Sequence, residues 1–276
     1  MRTIRLTIEY DGTAYVGWQR QAKGRSIQQL LEEALGQIVR EKVVLHSSGR
    51  TDAGVHARAM IAHFRTKSPF PLVAFREGVN RFLPDDIAVR EAVEETGDFH
   101  ARFSAGGKWY RYQIFTAPVR SPAFTRTSWH LRQDLDFAAM CAAARLFVGR
   151  HDFAAFRTTS CDARTTEREI TALDLRREGE LITIDVRGSG FLRHMVRIIV
   201  GTLVEIGLHK RPAADVPRLL AREHGLRAGV NAPPQGLCLM EVYYPEEEPA
   251  TEANAVERRD VGRRPQSPAN CSSPRR

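Results

Sequence analysis

The chain opens on a strict alternation of residue types. Ile4, Leu6, Ile8 and Tyr10 are apolar while Arg5, Thr7 and Glu9 are polar, as in a strand with one buried face. Asp11-Gly12-Thr13 ends that run as a turn. Ser26 and Gln29 then make a capping box, and Ile27, Leu30, Leu31, Ala34, Leu35 and Ile38 recur at helical spacing. The pattern next predicts a strand over 43–48, a loop over 49–54 and a strand over 60–66. A helix over 72–82 stops before Pro84, and a strand over 87–93 closes the half. The order is β-α-β-β-α-β.

The second half repeats that order. A strand over 109–115 sets Tyr110, Tyr112 and Ile114 on one face, and a helix covers 137–147. Strands over 170–176 and 181–187 flank the turn Glu178-Gly179. A helix starts near Phe191, a shorter one covers 213–222, and a last strand covers 237–243. The expected fold class is α+β: two pseudo-repeated β-α-β-β-α-β (ferredoxin-like) domains with a cleft between them. The expected domains are 1–103, an α+β unit carrying the Asp52 loop, and 104–245, a second α+β unit. From Glu246 the chain has three successive glutamates, four prolines and almost no large apolar residue, so 246–276 is expected to be a disordered tail.

Composition narrows the class. The 276 residues, 42% of them apolar, suit two globular domains. The greasiest stretch, 195–208, is interrupted by Arg197 and Glu205, so no membrane span is expected. The first residues lack the continuous apolar run of a signal peptide. The four cysteines are far apart and without a Cys-x-x-Cys pair, which fits a reducing cytoplasm and excludes a cysteine zinc ribbon. The formal charge is +8, and the tail balances six acids with six arginines, so the surplus belongs to residues 1–245. A basic body suits a polyanionic partner, although only five of the 41 basic residues are Lys, and such arginine bias also follows genome composition.

Arg197 is the most informative oddity, because Met195, Val196, Ile198, Ile199 and Val200 surround it. A guanidinium there either points outward or meets an acid that replaces its hydration. Its neighbour His194 has the setting of a hydrogen-bonded core histidine. The candidate acid is Asp52, within Ser48-Gly49-Arg50-Thr51-Asp52-Ala53-Gly54-Val55-His56. By residue type alone Asp52 suits a nucleophile, a general base, a metal ligand or a simple turn residue.

Six segments then carry a resemblance: EYDGTAYVGWQRQ (9–21), SIQ (26–28), GRTDAGVHA (49–57), DFHARFSA (98–105), Tyr110-Arg111-Tyr112 and FLRHMVRIIVG (191–201). In order and spacing they resemble the tRNA pseudouridine synthase A family, from the first strand to about Tyr244. The resemblance implies isomerisation of uridine to pseudouridine in the anticodon stem–loop of tRNA, at positions 38, 39 and 40. It maps the family's nucleophile onto Asp52, its active-site tyrosine onto Tyr110 and its carboxylate-holding arginine onto Arg197. Asp52 would attack either C6 of uracil or C1′ of the ribose. The Tyr110 ring would stack on the extruded base, with its hydroxyl on the side where the C5 proton leaves. Arg50, Arg102 and Arg164 are implied as RNA contacts, the last within a contact segment over 160–164. Each of them equally suits a solvated arginine, and Trp18 suits either a stacking platform or a core residue. The family implies a homodimer and tRNA as partner, with no cofactor and no metal, since the reaction neither gains nor loses atoms. Ile198 departs from the pattern where some members carry Asn, and the tail has no counterpart.

Other readings are weaker. Gly188-Ser189-Gly190 lacks the third glycine of a dinucleotide fingerprint. The segments around Asp11 and Asp52 do not repeat one another as the loops of an aspartic dyad do. The nine histidines show no helical metal-ligand pair. A catalytically silent RNA-binding protein of the same fold is the alternative of another class.

Overall fold

A computed structural model describes residues 1–158 and 164–245. The opening alternation forms β1 (Arg2–Tyr10), with Ile4, Leu6, Ile8 and Tyr10 buried. The Ser26 hydroxyl accepts from the Gln29 amide at 3.3 Å, the N-cap of α1 (Ile27–Val39). That helix buries Ile27, Leu31, Ala34 and Leu35 and ends at Arg40 in the left-handed region.

The first half continues with β2 (His46–Ser47), β3 (His56–Thr66) and β4 (Ile87–Glu95). β2 is only two residues of the six expected over 43–48, whereas β3 begins four residues before its predicted start at Met60. The helix expected over 72–82 runs over 72–80, its middle wound as a π-helix at Ala74–Gly78.

The second half contains β5 (Gly107–Thr116), β6 (Trp129–Leu131), α2 (Phe137–Arg145), β7 (Gly149–Asp152), β8 (Glu167–Glu178) and β9 (Leu181–Gly188). It ends with α3 (Met195–Gly207), α4 (Asp215–Leu220) and β10 (Leu237–Tyr243). The helix expected from Phe191 begins at Met195, because His194 takes a positive φ of 65° that a right-handed helix cannot contain.

The ten strands among the described residues form one sheet, ordered β4-β1-β3-β10-β5-β9-β8-β7, with β2 on β3 and β6 on β5. Within the first half the order is β4-β1-β3-β2, and within the second β10-β5-β9-β8. The sheet does not break between the halves. β10 lies parallel to β3, pairing Cys238 with His56 and Leu239 with Ala57, and antiparallel to β5 on its other side. The last strand among the described residues thus stands at the middle of the sheet, directly beyond the Asp52 loop.

Inward residues of β1, β3, β5 and β9 join α1, α2 and α3 in one apolar core. α3 is buried on almost every side, which explains a helix that is hydrophobic all round. A strap over 229–232 lies along it. Gly229 N donates to Thr202 Oγ1 at 2.9 Å, Val230 N to Glu205 Oε1 at 3.0 Å, and Ala232 N to the Arg197 carbonyl at 3.2 Å. Gly201 allows this approach, since a Cβ there would stand 1.8 Å from the Val230 carbonyl oxygen.

Candidate active site

The loop between β2 and β3 is clamped from several elements. Ser48 N donates to the Ile61 carbonyl at 2.8 Å, and Trp18 N donates to the Thr51 carbonyl at 3.1 Å. The Tyr10 hydroxyl meets Thr51 Oγ1 at 2.8 Å. A tight turn follows, in which Val55 N donates to the Asp52 carbonyl. At its end His56 Nδ1 accepts from Gly12 N at 3.1 Å, leaving Nε2 to donate to the Arg126 carbonyl at 2.8 Å. Gly17 closes against the loop from outside; its φ is +108°, and a Cβ there would lie 2.7 Å from the Thr51 carbonyl oxygen.

This frame aims Asp52 toward the start of α3. Arg197 Nη1 lies 3.1 Å from Asp52 Oδ2, while its Nε donates to the Ala232 carbonyl at 2.7 Å. The guanidinium is therefore fixed at two points, one on the strap and one on the carboxylate. Asp52 keeps 26% of its side chain open to solvent, and Arg197 10%. The acid is reachable and its partner is not.

His194, which the sequence places in the core, stands instead at this site, half-buried, with Nε2 3.3 Å from the same Asp52 Oδ2. Its positive φ turns the residue out of the helix, a feature invisible to hydrophobic periodicity. Asn231 Nδ2 donates to His194 Nδ1 at 3.2 Å. Burial holds the imidazole below the ordinary histidine range; the Asp52 charge opposes that shift, and Arg197 and Arg193 add to it.

Tyr110 lies on β5, buried, with its ring edge-on to Phe191 at 5.3 Å between centroids. Burial first, and then the Asp52 charge, raise its phenol well above the usual tyrosine range. At neutral pH the hydroxyl keeps its proton. Trp18 is a core residue, 1% exposed and packed against Tyr10. Asp11 accepts from Thr13 N at 2.9 Å, so its role is that of a turn residue.

Arg50, Arg102 and Arg164 are all exposed. Arg102 lies over the Phe103 ring at 5.8 Å and its charge reaches Lys108. Lys108 donates to the Ser48 carbonyl at 2.8 Å, and burial with the nearby Arg102 lowers its amine to about 8. Arg164 borders residues 159–163, which lie outside the described residues, as do most of the predicted contact segment and the whole tail over 246–276. Among the described residues no group of three or more His, Cys, Asp or Glu is arranged to hold a metal ion. No helix among them is long and apolar enough to cross a membrane.

A family model for tRNA pseudouridine synthases matches residues 6–104 and 143–245 of the chain. The chain belongs to this family. Both matched segments carry the site, since Asp52 falls in the first and Arg197 in the second. Among curated relatives, a tRNA pseudouridine synthase A from Syntrophotalea carbinolica is 60% identical over 244 residues, covering 88% of this chain and 97% of the relative. One from Citrifermentans bemidjiense is 56% identical over 247 residues, covering 89% of this chain and 99% of the relative. One from Acetivibrio thermocellus is 45% identical over 244 residues, covering 88% and 100%. The family resemblance thus spans the globular body and stops near the tail.

Proposed function

We propose that the protein isomerises uridine to pseudouridine in the anticodon stem–loop of tRNA, with Asp52 as nucleophile. The observation that carries this reading is the contact of a reachable carboxylate with a buried guanidinium, Asp52 to Arg197, inside a basic body of the tRNA pseudouridine synthase family. In the reaction the N1–C1′ bond breaks and a C5–C1′ bond forms. C5 loses a proton and N1 gains one, so atoms balance without redox chemistry. A carboxylate paired with a guanidinium is held in one orientation, as a nucleophile requires. Because the Tyr110 phenol is protonated, its hydroxyl acts as a hydrogen-bond donor or relay while its ring packs the extruded base.

Extrusion of the uridine costs a few kcal/mol, roughly, and phosphate contacts offset it. Arg50, beside the nucleophile, and Arg102 next to Lys108 are proposed for that task, with Arg164 on the far half. The matching strand orders support a reading of 1–103 and 104–245 as duplicated ferredoxin-like domains fused through β3 and β10. A homodimer working on tRNA in the cytoplasm completes the proposal.

The test is incubation of the protein with an unmodified anticodon-arm transcript and mapping of the isomerised nucleoside. Conversion by the parent chain and none by Asp52→Asn supports the proposal. Binding without conversion by both would make the chain a silent RNA-binding protein.

A further inference from the structure

Asp52 Oδ2 faces two donors, Arg197 and His194. Asn231 presents an N–H to His194 Nδ1, so that nitrogen must be the acceptor and the ring proton must sit on Nε2. Nε2 faces Asp52 Oδ2 at 3.3 Å, on the same oxygen that Arg197 holds at 3.1 Å. We propose that His194, fixed as its Nε2–H tautomer by Asn231, is a positioning residue that anchors Oδ2 of Asp52 and leaves Oδ1 as the oxygen free to meet the nucleoside. The proposal rests on Asp52 being the nucleophile.

Two independent features support it. First, His194 adopts a left-handed backbone, with φ of 65°, and is not glycine. Such strain persists where surrounding structure over-determines it, and here it turns the imidazole toward the acid. Second, Asn231 sits on the strap that Ala232 ties to Arg197, so one segment orients both donors. The groups facing the imidazole are Asp52 from the loop, Arg197 from α3 and Arg193 from the preceding turn. Burial, with the two cations adding to it, lowers the ring below the ordinary histidine range and so favours a neutral donor beside the carboxylate. Protonation at Nδ1 would set two donors face to face at Asn231.

The experiment measures single-turnover conversion of an unmodified tRNA transcript with enzyme in excess, over about pH 5 to 9, with tRNA Kd and thermal unfolding alongside. His194→Gly accepts the positive φ, so its unfolding temperature stays near wild type. Its conversion is expected to fall roughly 100-fold with Kd unchanged, as for a misplaced reacting group. His194→Gln restores an N–H donor and recovers most of the rate. In the wild type, protonation at Nδ1 breaks the Asn231 contact and conversion falls on the acid side; His194→Gln, lacking a titrating ring, loses that fall. Asn231→Asp accepts from Nδ1–H, so its neutral ring turns an Nε2 lone pair toward Oδ2 and conversion falls on the alkaline side, where the wild type is flat. Wild-type rate in His194→Gly, a His194→Gln as slow as the glycine variant, or an unmoved pH profile in Asn231→Asp each overturns the proposal. Should the glycine variant fail to fold, the other two variants decide. Asp52→Asn separates the levels. If it still converts tRNA, the nucleophile assignment fails; if it is inactive while His194→Gly is unimpaired, only the positioning role fails.

Discussion

Arg197 reaches Asp52 across 145 positions of sequence, with Nη1 3.1 Å from Oδ2 and Nε on the Ala232 carbonyl. The two contacts use two different nitrogens of one planar group. A lysine ammonium at the same place is a single point and cannot span both partners. Arg197→Lys should therefore keep the fold and tRNA affinity yet slow single-turnover conversion by roughly 100-fold, as a carboxylate displaced by about 1 Å would. Asp52→Asn should bind tRNA and yield no product. Equal rates for Arg197→Lys and wild type would show that the guanidinium does not orient the acid.

The Tyr110 ring and hydroxyl separate in Tyr110→Phe. The ring packs on Phe191, so the substitution leaves the core filled. Stability should hardly change, and tRNA binding should survive. Conversion should fall by roughly 10²–10⁴ if the hydroxyl relays the C5 proton, the usual range for removing such a group. A solvent deuterium exchange assay at C5 tests the same step: the variant should accumulate bound, unconverted RNA.

Elements with a strong local signal were legible in the sequence. The alternation of Ile4, Leu6, Ile8 and Tyr10, the Ser26 cap and the strand at 237–243 each depend on neighbours a few residues away. β6 and β7, of three and four residues, are too short to show a period. The single sheet was not legible either, because the β3–β10 pairing joins Ala57 to Leu239 and leaves no local trace. At the site, Arg197 was conspicuous because a charge inside an apolar helix demands a partner. His194 gave no such signal. Its importance comes from one backbone angle and from Asn231, both outside any periodic pattern.

Gly17 should tolerate no side chain. Its φ is +108°, and a methyl group on its Cα would stand 2.7 Å from the Thr51 carbonyl oxygen, so Gly17→Ala must displace the loop that presents Asp52. A loss of about 1–3 kcal/mol in urea unfolding is expected. Conversion should fall more than tRNA affinity, because the displaced segment is the nucleophile loop. An unaltered unfolding midpoint would refute the clamp.

Acid should loosen a second region through His63. This buried imidazole accepts from the Ala101 amide at 3.1 Å, and burial, with His100 and His46 adding to it, brings its pKa down to about 4. The neutral ring is the form that fits the fold, whereas the unfolded chain takes up the proton near the ordinary histidine value. Between about pH 6.5 and 4 the unfolded state thus binds more protons, and stability falls as pH falls. The loss should be on the order of 2–3 kcal/mol by pH 4 and absent above pH 7. His63→Gln should flatten that part of the curve, and hydrogen exchange at the Ala101 amide should report the opening directly.

Binding of tRNA should weaken steeply with salt, since a body with a surplus of +8 displaces counterions from phosphates. Charge reversal tests the three exposed arginines one at a time. Arg50→Glu, Arg102→Glu and Arg164→Glu should each lower affinity and reduce the slope of log Kobs against log salt by about one for each phosphate left unneutralised. Arg102→Glu carries a second consequence. It replaces a cation near Lys108 with an anion, so the Lys108 amine, now held at about 8, should titrate higher. Lysine reactivity toward an acylating reagent at pH 8 measures that change, and reduced labelling of Lys108 is the expected result. A salt slope unchanged in all three variants would remove these arginines from the RNA path.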